Sequence, residues 1–168
     1  MLANGDQHAG KSTYLNSFIP KKLENYMGVN IGTDKDSRIK MCKNFLINLE
    51  ELSVIGKAEV NYIKSLISMF YINERLPYER KAENLPRICS FIGSTNMVDF
   101  LTDETGSVRW IIFDVIGRID FNYSKEIDMD NVWSQDYYLA YYDNSFEAEL
   151  THQDVIENEL RNEKYTNY

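Results

Sequence analysis

The stretch Gly5-Asp6-Gln7-His8-Ala9-Gly10-Lys11-Ser12 decides how this chain is read. It fits GxxxxGK[ST] without a gap. A loop that turns backbone N–H groups onto phosphate oxygens needs glycines for close approach and unusual dihedrals. Lys11 then reaches the β and γ phosphates. Ser12 is placed to ligate Mg²⁺, and Thr13 opens a helix whose N-terminal dipole favours an anion. The expected nucleotide contacts are Gly5, Gln7, Ala9, Gly10, Lys11, Ser12 and Thr13. The competing reading is a glycine-rich turn before an ordinary capped helix. His8 is read first as a solvated loop side chain and second as a nucleotide contact.

Working outward, MLA is the stub of a strand and STYLNSF a helix that stops by Pro20. MGVNIGTDKDSRIKMCKN reads as a loop, with Asp34 or Asp36 capping a short helix that ends near Cys42. NFLINL is a compact apolar strand despite its second asparagine. EELSVIGKAEVNYIKSLISMFYI changes to a helical rhythm, with Leu52, Ile55, Ala58, Tyr62, Leu66 and Met69 sharing much of one face. NERLPYERKAENLP is a loop or short excursion. RICSFIGSTN and VRWIIFDV are further strands. Strands alternating with helices predict an α/β sheet whose functional residues sit at strand ends.

The 168 residues suit one domain, and 43% hydrophobic composition is enough for a core. Residues 128–168 are expected to form a helical C-terminal part. No apolar run approaches a membrane span, and the start lacks the form of a secretory signal. Cys42 and Cys89 have no metal-like spacing and read as buried free thiols of a cytoplasmic protein. A net charge of −8 argues against an extended basic clamp on nucleic acid. The basic residues gather locally in INERLPYERKAENLPR, and the acid excess in segments such as FEAELTHQDVIENELRNE.

The strand ends supply partner signals. NFLINLEEL delivers Glu50 and Glu51 at a strand terminus. Beside a triphosphate, one carboxylate there helps hold Mg²⁺ and the next polarises the attacking water. Glu50 is assigned to the metal and Glu51 to the water, with the reverse assignment open. The alternative is an acidic cap on the following helix. Asn96, ending RICSFIGSTN, can bond the water or the γ phosphate without adding charge; the alternative is turn chemistry. Arg109, after the turn in FLTDETGSVRW, can stabilise charge on a transferring phosphate in cis or from a neighbouring subunit. It can instead pair with Asp103 or Glu104, and Arg87 competes for its role.

As an ordered set, GDQHAGKST, NFLINLEEL, VNYIKSLIS, NERLPYERKAENLPRICSFIGSTN and FLTDETGSVRW resemble the ATPase domain of the virulence-associated protein E family. These are phage- and mobile-element-associated P-loop proteins related to superfamily 3 helicases and primase–helicase C-terminal regions. The resemblance covers most of the chain. It implies an AAA+-like three-layer sandwich with a mostly parallel central sheet, binding ATP with Mg²⁺. Gly10, Lys11 and Ser12 match the Walker A role, Glu50 and Glu51 Walker B, and Asn96 the polar sensor. Arg109 matches part of a basic pair after the TG turn. Lys64 and the Arg75–Arg80 region fall near positions tied to the nucleotide or a DNA-facing surface. The chain departs from the family pattern at His8, where a glycine is common, at Asn73, where aspartate is frequent, and at Trp110, where the second basic residue belongs.

Three surface features complete the reading. Arg75, Tyr78, Arg80 and Arg87 are candidates to meet single-stranded DNA, with Tyr78 able to stack on a base; the alternative is a solvated loop balanced by Glu74, Glu79 and Glu83. Tyr137 and Tyr141, and Tyr138 and Tyr142, meet at i,i+4 and are expected to pack a helix on the core. A final helix is expected to use Val155, Ile156 and Leu160. The leading expectation is a Mg²⁺-dependent ATPase of a mobile-element replication protein. It would be a fragment or stand-alone core, working as a homo-oligomer with a primase or DNA-binding partner and no membrane. The rivals are a nucleotide-binding assembly or sensing module without efficient hydrolysis, and a small-molecule kinase.

Overall fold

In the computed structural model of the protein, the described residues are 1–3, 7–50, 57–97, 101 and 108–166, without the side chains of 57–60. Leu2–Ala3 form β1 and Lys11–Asn16 form α1, followed by a 3-10 turn over Lys21–Tyr26. Then come β2 (Met27–Val29), α2 (Lys35–Lys40), β3 (Leu46–Leu49) and α3 (Lys57–Ile67). β4 (Tyr71–Glu74), β5 (Glu83–Pro86), β6 (Ser90–Thr95) and β7 (Phe113–Asp114) follow. The chain ends in α4 (Tyr123–Glu126), α5 (Met129–Tyr142), α6 (His152–Asn162) and a 3-10 turn over Glu163–Tyr165.

Five strands form one sheet in the order β2-β3-β6-β1-β7, parallel at every pairing. All strands therefore end at the same edge. β1 is only two residues long, yet it lies between β6 and β7: Ala3 pairs with Thr95 on one side and Asp114 on the other. The core forms around Ile47 and Leu49 of β3, Ile63 and Leu66 of α3, and Ile72, Trp110, Ile112 and Tyr165. Burial of β3 on both faces explains its unbroken apolar reading.

The expected strands at MLA, NFLINL and RICSFIGSTN form. VRWIIFDV pairs only at Phe113–Asp114. β2 was expected as loop; it pairs with β3 because Gly28 sits tightly on it. A Cβ on Gly28 would meet Asn44 Nδ2 and Ile47 Cγ1, each at 3.3 Å. Asp34, rather than Asp36, caps α2, accepting from the Ser37 amide at 2.9 Å and hydroxyl at 2.6 Å. Cys89 is buried and Cys42 only partly so; both are free, and burial raises both thiol pKa values.

The expected loop at NERLPYERKAENLP is a two-stranded antiparallel hairpin of β4 and β5, and the helical rhythm read through SMFYI stops at Ile67. Beyond that point helical spacing no longer applies, so Met69 is exposed, whereas Leu66 is buried. Leu52 and Ile55, and the side chain of Ala58, lie outside the described residues. Glu74 and Glu83 face each other across the hairpin, an unfavourable like-charge pair. Arg38 of α2 offsets it: its Nε donates to Glu74 Oε1 at 2.6 Å.

Two expectations for the C-terminal helices are corrected. The tyrosines do meet in pairs, with ring centroids 4.7 Å apart for Tyr137–Tyr141 and 5.9 Å for Tyr138–Tyr142. All four are exposed, however, and the anchor of α5 is Trp133, whose Nε1 donates to the Phe18 carbonyl at 2.7 Å. On α6 the inward residues are Asn158 and Asn162, while Ile156 and Leu160 are exposed. The physical reason is the buried Trp110 carbonyl. Both amides donate to it, at 2.9 and 2.6 Å. A carbonyl inside the core needs donors more than it needs methyl groups.

α6 starts at a capping box between Thr151 and Asp154. The Thr151 hydroxyl and then its amide hold Asp154 below the ordinary carboxylate range. The cap's contribution is present above the usual aspartate pKa and is lost as pH falls through the depressed one.

If buried amides rather than apolar side chains dock α6, then Asn162→Leu costs about 1–3 kcal/mol despite its greater hydrophobicity. Leu160→Ala stays within about 0.5 kcal/mol. Urea unfolding of the two variants measures the difference.

Candidate functional site

β1 ends at the sheet's C-terminal edge, and the described part of the glycine–lysine loop resumes at Gln7. Gly5 lies outside the described residues. His8 has φ 61° and Gly10 φ 90°, both in the left-handed region. Glycine alone enters that region freely, so the backbone at His8 is one that favours glycine. At Gly10 space is limiting too, since a Cβ would lie 2.7 Å from Phe121 Cζ.

The loop lines a cleft of about 510 Å³. Gln7, His8, Ala9, Gly10, Lys11, Ser12 and Thr13 form one wall, and Ser94, Thr95 and Asn96 another. Lys11 is buried, and its Nζ donates to Asn96 Oδ1 at 2.5 Å. Ser12 and Thr13 are exposed to the cleft. Two residues 85 positions apart in sequence are thus held in contact at the ends of neighbouring elements.

Glu50 follows β3 at the same edge but does not line this cleft. Its amide donates to Asn30 Oδ1 at 2.9 Å. Asn48, fully buried, reaches Asn16 Oδ1 of α1 at 3.1 Å and Glu50 Oε1 at 3.5 Å. Asn48 is a link between the carboxylate strand and α1 that sequence reasoning passed over. Its signal was an amide inside an otherwise apolar strand. Glu51 lies outside the described residues. Ser12 and Glu50 supply hard oxygen donors, the kind Mg²⁺ takes in small number beside substrate phosphates and water. Among the described residues no group of three or more His, Cys, Asp or Glu side chains gathers to hold a metal.

The arginines lie elsewhere. Arg109 does not line the loop cleft; its Nε donates to Ser68 Oγ at 3.1 Å. Arg109 and Arg87 line a second cleft of about 280 Å³. Arg87 is held by the Met69 carbonyl at 2.7 Å and by the Cys89 carbonyl. The suggested partners Asp103 and Glu104 lie outside the described residues. Lys64, placed by the resemblance near the nucleotide or a DNA-facing surface, is 8% exposed, because α3 turns it inward beside Ile63. Arg75, Tyr78 and Arg80 are exposed between β4 and β5, with Tyr78 at φ 70°. Phe121 was missed altogether, although it lines the loop cleft.

The loop dihedrals separate two substitutions. Gly10→Ala meets both the Phe121 ring and a left-handed backbone, and lowers stability by about 1–3 kcal/mol. His8→Gly leaves stability within about 1 kcal/mol, because relief at φ offsets added unfolded-state freedom. Thermal unfolding checks both.

No curated protein matches the chain. A structure of the NrS-1 C-terminal region in its A-form apo state is 17% identical, with a TM-score of 0.52, over 93% of this chain and 41% of that one. A second structure, also of the NrS-1 C-terminal region in the A-form apo state, is 15% identical with a TM-score of 0.49, over 98% of this chain and 33% of that one. The chain therefore spans well under half the length of either, and the first likeness concerns fold alone. Among the described residues no helix is long and apolar enough to cross a membrane. A family model described as virulence-associated protein E-like domain matches residues 1–167. With a match across the loop, the sheet and the C-terminal helices, the chain belongs to the virulence-associated protein E-like domain family.

Proposed function

We propose that this domain is a Mg²⁺-dependent ATPase acting in DNA replication or remodelling for a phage or mobile element. The observation that carries the reading is the Lys11–Asn96 contact inside the cleft walled by the glycine–lysine loop. The sheet order, with the loop following the interior strand β1 beside β6, supports a P-loop fold of AAA+ type. Family membership supports the replication context, and the likeness to the NrS-1 C-terminal region supports the fold alone.

In this reading the loop amides and Lys11 bind the phosphates. Asn96 holds Lys11 in place and is positioned to sense the γ phosphate or the attacking water. Ser12 would hold Mg²⁺, with Glu50, outside the cleft lining, assigned to it through water; the ion when bound neutralises phosphate charge as the transition state develops. Glu51 is assigned to orient and deprotonate the water. Arg109, exposed and away from the cleft, fits delivery of positive charge to a neighbouring subunit's nucleotide, which requires a homo-oligomer. The hairpin tip, with Arg75, Arg80 and Tyr78 exposed, is the element assigned to single-stranded DNA. A primase or other DNA-binding region would act with the domain.

One observation favours a second reading. Glu50, the carboxylate assigned to the metal, follows β3 outside the cleft lining, which fits a nucleotide-binding assembly or sensing module without efficient hydrolysis. ATP binding and turnover of wild type, Lys11→Ala and Glu51→Gln decide between them. Lys11→Ala should weaken ATP at least about tenfold. Glu51→Gln should keep binding and lose about 100-fold or more in turnover. Binding without turnover in wild type favours the assembly module. Phosphate transfer to an added acceptor would favour a kinase. Under the DNA assignment, Arg75→Ala and Arg80→Ala each weaken single-stranded DNA binding and lower its salt slope by about 1; fluorescence anisotropy across salt concentrations reads this.

A further inference from the structure

We infer that the ring of Phe121 is the platform for the nucleotide's base, so that the cleft selects a whole nucleotide over its phosphates alone. The inference rests on the phosphate-binding reading above and adds the part of the ligand that the loop cannot recognise. Phosphate contacts carry no information about the base.

Four observations place the ring. Phe121 lines the same cleft as Lys11 and Asn96. It lies directly against the loop, 2.7 Å from where a Gly10 Cβ would be. Its segment is tied there by the Ile119 amide, which donates to the Ala9 carbonyl at 2.9 Å. It remains 47% exposed, although a benzyl group gains by burial. The other described lining groups are backbone, hydroxyls, amides, the Lys11 ammonium, the Ala9 methyl and the His8 imidazole. Phe121 is therefore the only hydrocarbon ring in the cleft among the described residues.

The ring is also supported from behind. Phe121 and Tyr123 lie with centroids 6.3 Å apart, and Tyr123 and Tyr14 of α1 at 5.0 Å, edge to face. The Tyr123 hydroxyl and Ser17 Oγ are 2.8 Å apart. α1 thus holds both the phosphate-contacting lysine and the buttress of the aromatic platform. A planar base has two apolar faces that stack on such a ring irrespective of its hydrogen-bonding edge. A cleft of about 510 Å³ is in the range of small-ligand sites.

The test compares ATP with inorganic tripolyphosphate, each with Mg²⁺, by calorimetry on wild type, Phe121→Ala, Phe121→Tyr, Phe121→Leu and Lys11→Ala. Circular dichroism confirms that each variant is folded. Phe121→Ala and Phe121→Leu should weaken ATP about tenfold and tripolyphosphate less than about twofold. Phe121→Tyr should stay within about threefold of wild type for both. Lys11→Ala should weaken both ligands. Unchanged ATP affinity in Phe121→Ala overturns the platform and leaves the phosphate site standing. Equal losses for ATP and tripolyphosphate also overturn it, because the ring would then only brace the loop. Absence of Lys11-dependent tripolyphosphate binding in wild type overturns the phosphate reading itself and the platform with it.

Discussion

The architecture hangs on a strand of two residues. Leu2–Ala3 are inserted between β6 and β7, and their register aligns Ala3 with Thr95. The residue after Thr95 is Asn96, so the sheet leaves Asn96 at the level where β1 gives way to the loop. The loop then delivers Lys11, the first residue of α1, at that edge, and Lys11 and Asn96 meet. A slip of one residue along β1 would turn its side chains to the opposite face and shift the loop against its neighbour. Parallel pairing supplies the rest of the constraint, since it brings every strand end to one edge.

Buried polar side chains do much of the joining. Asn48 ties β3 to α1, and Asn158 and Asn162 tie α6 to the Trp110 carbonyl. Arg38, half-buried, ties α2 to β4 through the half-buried Glu74. Each meets a polar group that would be costly to leave unpaired, so each fixes geometry more narrowly than apolar contact does. The apolar core supplies the driving force. The amides determine which face of α6 turns inward and hold α1 against the carboxylate strand.

Charge is divided in a way that bears on the proposed function. The exposed hairpin tip carries Arg75, Arg80 and Lys81, whereas the chain as a whole has a net charge of −8. Local cations on an acidic molecule allow contact with a phosphate backbone while limiting non-specific adherence elsewhere. Arg87 and Arg109 line the second cleft and not the loop cleft, so the proposed role of Arg109 in phosphate chemistry is the one that calls on a neighbouring copy.

Much of the fold was legible in the chain because its signals are local. Apolar runs marked β3 and β6, and the GxxxxGKS spacing marked the loop and the start of α1. An α/β sheet followed from their alternation, and its mostly parallel sense from the family resemblance. Lys11 and Asn96 were each named from sequence because strand ends and glycine–lysine spacing leave a short-range pattern. What lacked such a pattern was decided by tertiary contact. β2 needed the close approach of Gly28 to β3, and the hairpin needed Arg38 from another element. α6 turned its asparagines inward because a distant carbonyl was buried there. Phe121 reached the cleft only because β7 lies beside β1 and returns the chain over Gly10. Periodicity records which residues prefer burial; it carries no record of which buried polar group, many positions away, must be answered.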